Sequence, residues 1–168
     1  PNLVVGLAMR YGNPSIESQL IKMRDQGVRK ILIFPLYPQY CAATTASTFD
    51  KVSQVLTKWR WIPEVRFINE YYQDELYVEA LAKSIVEFRK LHGKPDLTLF
   101  SYHGVPKEYL DKGDPYHCFC HATTRLVKEH MQLADADVMT TFQSRFGPAE
   151  WLQPYTDETL KGLPAKGI

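Results

Sequence analysis

Residues 116–121, YHCFCH, hold four side chains of the kind that bind zinc and related metal ions. If the segment is helical, His117 and His121 lie about 40° apart around the helix axis and could share one ion. Cys118 and Cys120 diverge by about 160°, so the two cysteines are poorly placed to join that pair. A structural zinc site would need a second pair of ligands elsewhere in the chain.

The same six residues also fit the beginning of a core-facing helix. A stripe with spacings of four, three and four residues runs through Cys120, Thr124, Val127 and Met131. Such spacing is typical of a buried helical face, where a free cysteine behaves as a small apolar residue. Cys41 and His130 do not supply an obvious second ligand pair. We therefore interpret 116–121 as the start of a helix with Cys120 in the core.

His103 is the strongest single candidate for chemistry. It follows the apolar run LTLFSY, at the position where a strand would end. Gly104 permits conformations that other residues avoid, and Pro106 delays the start of the next helix. Such a turn could hold an imidazole exposed and fixed, and imidazole both titrates near neutral pH and coordinates Fe, Zn or Cu. The alternative is a structural histidine that is bonded to a nearby backbone carbonyl.

Strands and helices alternate along the chain. Short apolar runs predict strands at 2–9, 30–36, 64–68, 96–103 and 137–142, and apolar residues at helical spacing predict helices between them and at 156–163. We expect Asn13 as the N-cap of the first helix and Pro14 at its first position. This order predicts an α/β fold with parallel sheets flanked by helices. The helix-breaking stretch HGKPD (92–96) indicates a boundary between two α/β halves.

The carboxyl ends of the predicted strands are rich in Tyr, Phe, Arg, Gln and His. Ligands of open α/β sheets bind at this edge. These side chains suit a flat aromatic ligand with polar edges. The alternative is that the aromatic residues merely complete the core at the strand ends.

The composition is that of an ordinary globular protein, with 45% apolar residues, 23% charged residues and a net charge of +1. This charge gives no case for a nucleic-acid partner, and no stretch approaches the roughly 18–20 apolar residues of a membrane span. Three cysteines are too few for a disulfide scaffold and favour a reducing compartment. The motifs GxGxxG, GxxxxGK[ST] and GxSxG are absent from the sequence. Because the sequence starts without Met on an apolar run, we expect a fragment truncated at both ends.

Four stretches together resemble the ferrochelatase family, metal-chelating lyases that insert Fe²⁺ into a porphyrin as the last step of protohaem synthesis. They are AMRYGNPS (8–15), FPLYPQYCAATTAS (34–47), LFSYHGVPKEYLDKGDPY (99–116) and TFQSRFGPAEWLQPYTDETL (141–160). The version here is most similar to the Gram-negative bacterial branch, which uses protoporphyrin IX. The resemblance implies Rossmann-like sheets in a two-domain chelatase fold, with the ring-binding cleft between the domains. Residues 1–93 would be the later part of the first domain, and 94–168 the first part of the second.

The resemblance also implies roles for single residues. His103, in the family's S-x-H-G motif, would take protons from the pyrrole nitrogens and help to place the metal. Two N–H protons must leave as the metal enters, which favours a base of near-neutral pKa. Five residues would bind or approach the ring: Arg10, Tyr11, Tyr37 on the metal-access side, Tyr116 and Trp151.

The sequence departs from the family pattern in two respects. The family's later glutamate stretch does not occur in it, so we expect the isolated chain to be weak or inactive. Some members hold a [2Fe–2S] cluster, but Cys41 lies one position before the usual ligand, and we predict no cluster.

The expected substrates are Fe²⁺ and protoporphyrin IX. The expected location is the cytoplasm, with peripheral association at the inner membrane left open, and the sequence carries no signal for an oligomeric state. The alternatives are a non-enzymatic porphyrin- or haem-binding module and a chelatase that acts on another tetrapyrrole.

Overall fold

A computed structural model describes residues 3–168. The chain divides into two compact units, the first ending at Glu70 and the second spanning Tyr71–Ile168. The boundary predicted near residue 93 therefore falls inside the second unit, because the long helix before it packs within that unit. The assignment of 1–93 and 94–168 to two family domains stays a prediction.

The first unit contains two helices and two strands. They are α1 (Ile16–Asp25), β1 (Lys30–Ile33), α2 (Ser47–Leu56) and β2 (Glu64–Phe67), with a π-helical turn at Ala42–Ala46 before α2. The strands β1 and β2 are parallel, with Ile31 opposite Val65. One face of each helix closes over them, and the core consists of Ile16, Leu20, Ile31, Val52, Val55 and Leu56. The predicted extension of β1 to residue 36 is wrong, since Pro35 has no N–H with which to continue the strand.

The predicted strand at 2–9 is wrong for its described part, and Asn2 lies outside the described residues. Residues 3–8 have no regular structure, and the side chains of Leu3 and Val5 are 88% and 86% exposed. Within residues 3–168, this segment has no partner strand to complete a ladder, only a single bridge between Met9 and Ser15. An apolar run alone does not make a strand, because its backbone groups need partners.

The start of α1 also differs from the prediction. Ser15, not Asn13, is the N-cap, and its Oγ accepts a hydrogen bond from the Ser18 N–H at 3.1 Å. Pro14 lies outside the helix, where its carbonyl accepts from the Met9 N–H at 2.7 Å. Pro14 thus holds the preceding loop rather than beginning the helix.

The second unit contains four helices and two strands. They are α3 (Glu75–His92), β3 (Thr98–His103), α4 (Lys107–Asp111), α5 (Tyr116–His130), β4 (Val138–Gln143) and α6 (Thr156–Gly162), with short 3₁₀ turns at Asp135–Asp137 and Pro164–Lys166. The strands β3 and β4 are parallel, and their last residues, His103 and Gln143, are opposite each other. Val78 and Ala82 of α3 pack against Val127 of α5.

These two units confirm an α/β fold with parallel strands and helices. The short helix α4 and the π-helical turn were not predicted. Within residues 3–168, no helix is long and apolar enough to cross a membrane.

Candidate functional site

The candidate turn at His103 and Gly104 lies at the carboxyl end of β3, as predicted. β3 and β4 end side by side, and the Gly104 N–H extends their ladder by donating to the Gln143 carbonyl at 2.7 Å. Gly104 has no room for a side chain: a Cβ there would lie 2.9 Å from the Gln143 oxygen and 3.2 Å from Cε3 of Trp151. The turn therefore requires glycine because two other segments of the chain, at Gln143 and Trp151, approach it closely.

The His103 imidazole is exposed and oriented by its own turn. Its Nδ1 lies 2.7 Å from the Gly104 carbonyl oxygen. A carbonyl only accepts, so Nδ1 carries the hydrogen, and in the neutral ring the lone pair is on Nε2. His103 thus makes the backbone contact of a structural histidine and still presents a basic nitrogen. The contact selects which nitrogen can react.

Tyr116 and Trp151 lie against the same turn. Tyr116 opens α5, where its N–H donates to Asp114 Oδ1, and its hydroxyl donates to the His103 carbonyl at 2.9 Å. Trp151 is only 6% exposed, and its indole N–H donates to the Phe146 carbonyl at 2.9 Å. The structure therefore brings together three of the six predicted site residues in the second unit.

The other three predicted residues lie in the first unit. The Arg10 Nε donates to Ser47 twice, to its carbonyl at 3.0 Å and its Oγ at 2.8 Å. The Arg10 guanidinium also lies 4.5 Å from the centroid of the Tyr11 ring, which is 74% exposed. Tyr37, in the loop after β1, is partly exposed. Arg10 thus fixes its loop to the start of α2 through Ser47, a residue that we did not single out although it ends the stretch FPLYPQYCAATTAS.

A buried hydroxyl network joins α5 to the two strands behind His103. Thr124 Oγ1 donates to the Cys120 carbonyl at 3.3 Å, so it accepts from Thr140 at 2.8 Å and from the Tyr102 hydroxyl at 3.1 Å. Burial raises the pKa of Tyr102 far above its usual value, which keeps the phenol a donor. Sequence reasoning missed this network, although threonines inside an apolar strand are a recognisable signal.

The segment 116–121 begins α5, as predicted, and Cys120 is fully buried. The rings of His117 and His121 are 4.5 Å apart between centroids. Partial burial, and secondarily the nearby His117, lower the pKa of His121. Among residues 3–168, no three or more His, Cys, Asp or Glu side chains are grouped as metal ligands.

We expect Cys120→Ala to lower the free energy of unfolding by about 1–2 kcal/mol, because it removes a fully buried sulfur from a packed core. The metal insertion that the sequence resemblance implies should be nearly unchanged in the full-length protein. Cys118→Ala is the matched control, since Cys118 is exposed and its loss should change stability by less than about 0.5 kcal/mol. Chemical denaturation and an insertion assay measure both effects. A large loss of activity in a well-folded Cys120→Ala protein would contradict the assignment of Cys120 to the core alone.

Comparisons with known proteins cover the whole chain. Residues 1–168 match the family model of ferrochelatase. The ferrochelatase of Marinobacter nauticus is 59% identical over 167 residues, covering 99% of this chain and 45% of the relative. The ferrochelatase of Pseudoalteromonas atlantica is 56% identical over 166 residues, covering 99% of this chain and 46% of the relative. The chain thus spans about half the length of the curated relatives it matches.

A solved structure shares the fold. SirB from Bacillus subtilis, determined with Fe³⁺, superposes with a TM-score of 0.62 over 90% of this chain and 54% of that chain. The sequences are 17% identical, so the likeness shows the fold alone.

Proposed function

The chain belongs to the ferrochelatase family, and from this premise we propose that it takes part in the insertion of Fe²⁺ into protoporphyrin IX to form protohaem. The family assignment confirms the resemblance found in the four sequence stretches. The observation that carries the proposed mechanism is the His103 turn, which orients an exposed imidazole with its basic Nε2 available.

In this proposal His103 is the proton acceptor. The Nε2 lone pair takes a proton from a pyrrole N–H, and the electron pair left on the pyrrole nitrogen then binds the incoming Fe²⁺. Because the Nδ1–H is bonded to the Gly104 carbonyl, the charge of the resulting imidazolium is partly offset by that oxygen. Imidazole is also a suitable ligand for Fe²⁺, so the same residue could help to place the metal.

The aromatic residues and Arg10 would bind the ring. Tyr116 contacts the His103 backbone through its hydroxyl, and Trp151 lies close beside Gly104. Tyr11 offers an exposed aromatic face, and Arg10 beside it could pair with a propionate carboxylate. Tyr37 would lie on the side from which the metal enters.

We further propose that the protein has no [2Fe–2S] cluster and works in the cytoplasm. The absence of a cluster is supported by Cys41, which is 1% exposed and lies one position before the residue that usually binds the cluster in the family. Fe²⁺ is a substrate in this scheme and not a resident cofactor.

The proposal is tested with the full-length protein that contains this chain, mixed anaerobically with protoporphyrin IX and Fe²⁺. We expect the visible absorbance bands of the free porphyrin to be replaced by those of protohaem, much faster than in the absence of protein. Binding of the ring without metal insertion would instead identify a porphyrin-binding module. Insertion into a different tetrapyrrole in preference to protoporphyrin IX would identify another chelatase.

A further inference from the structure

Two imidazoles on the first turns of α5, which the proposed mechanism does not use, form a pair. His117 and His121 are one helical turn apart, with their ring centroids separated by 4.5 Å and their planes inclined by 51°. We propose that these two side chains form a second site, which binds a divalent transition-metal ion of the Zn²⁺ or Fe²⁺ class. This inference does not depend on the proposed function.

The spacing of the two rings suits a shared ion. Two nitrogens bound to one Zn²⁺ at about 2.0–2.1 Å in tetrahedral geometry are about 3.3 Å apart. Rings with centroids 4.5 Å apart can bring one nitrogen each to that separation by small side-chain rotations. Histidines at positions i and i+4 of a helix are a known arrangement for zinc because they project from the same face.

The rings are already held in place by a buried aromatic side chain. Phe142 of β4 is 2% exposed, and its ring stacks on His117 with a centroid distance of 5.6 Å and an angle of 19°. The His121 ring lies 6.0 Å from the same ring. Because one fixed ring supports both imidazoles, metal binding would immobilise little that is not ordered already.

Space for further ligands lies beside His121. A shallow depression of about 400 Å³ lies between α5 and β4. Its lining includes two cations that would oppose a metal ion, but each is paired: Arg125 with Glu129 at 3.1 Å, and Lys128 with Asp135. The local positive charge is therefore largely offset, and water molecules could complete the coordination.

The ligand set predicts an exchangeable site. Imidazole suits Zn, Fe, Cu and Ni ions. In the described part of the chain, no third His, Cys, Asp or Glu joins the pair, so coordination positions remain open, unlike those of a closed four-ligand structural site. An ion held by two histidines should load and leave without unfolding the protein.

The test is a titration of the full-length protein with Zn²⁺ alone, in a His103→Gln background that removes the candidate ligand of the proposed reaction site. We expect His121→Gln to weaken the affinity for one bound ion at least about ten-fold, because it removes one of two ligands. His130→Gln is the matched control, since His130 is exposed on the same helix and should not affect binding.

Two further readouts keep the test decisive. His121 is exposed, so the thermal midpoint of His121→Gln without metal should match that of its parent. Zinc should shift the imidazole NMR signals of His117 and His121 and leave that of His130 in place. Equal zinc affinity before and after His121→Gln, or shifts confined to other histidines, would overturn the proposal. Because the His103→Gln background is used, the result is independent of whether the protein inserts metal into porphyrin.

Discussion

Replacing His103 with alanine should lower kcat for metal insertion by about 10²–10⁴-fold, which is the usual contribution of a positioned general base. The ring-binding affinity should change little, because the change leaves the turn intact. The Gly104 N–H bond to Gln143 and the Tyr116 bond to the His103 carbonyl both involve backbone atoms of the turn. Stopped-time insertion assays give kcat, and quenching of protein fluorescence by the porphyrin gives affinity.

The control for this prediction is His130→Ala, which removes an exposed histidine at the far end of α5. This substitution should leave kcat and the ring-binding affinity unchanged. If His103→Ala instead retains full turnover, His103 is not the base. If His103→Ala abolishes haem binding, seen as loss of the haem absorbance spectrum, the protein is better described as a haem-binding module in which His103 is the iron ligand.

Gly104→Ala should lower the free energy of unfolding by about 1–3 kcal/mol, the usual cost of adding a methyl group to a packed site. The new Cβ would lie 2.9 Å from a backbone oxygen, which cannot move aside as a flexible side-chain end could. The turn must shift, and with it the ring of His103, so turnover should fall as well. Urea denaturation and the insertion assay of the full-length protein measure the two effects.

Gly162→Ala is the matched control for the loss of a glycine. Apart from its chain neighbours and the backbone of its own helix, no described atom lies within 4 Å of a Cβ built at Gly162, and the residue ends α6. This substitution should be neutral or slightly stabilising, because alanine restricts the unfolded chain more than glycine does. Equal stability of the two variants would show that close approach at Gly104 does not constrain the turn.

Much of the fold could be predicted from local patterns. The apolar runs at 96–103 and 137–142 were recognisable as strands, and they correspond to β3 and β4. The helical spacing that begins at Cys120 identified the buried face of α5. Both depend on residues near each other in sequence. The strand predicted at 2–9 is absent over residues 3–8, because a strand also needs a partner, and partners are distant in sequence.

Candidate site residues could be selected from the sequence, but their arrangement could not, and their roles stay predictions. Nothing local to His103 indicates that Tyr116, thirteen residues later, bonds its carbonyl, or that Ser47 fixes Arg10 across 37 positions. The choice between a structural and a reactive histidine was also undecidable from spacing, since His103 combines a backbone contact with an exposed ring. Such features depend on tertiary contacts that only the folded chain provides.

The hydrogen bond between the His103 Nδ1 and the Gly104 carbonyl leaves Nε2 as the nitrogen that would accept a proton in the proposed reaction. A neutral imidazole can accept only one proton, whereas a porphyrin must release two before it holds a dication. His103 would therefore have to pass its first proton to water before it accepts the second. Its exposed side chain makes that relay possible, so that one residue serves twice within each catalytic cycle.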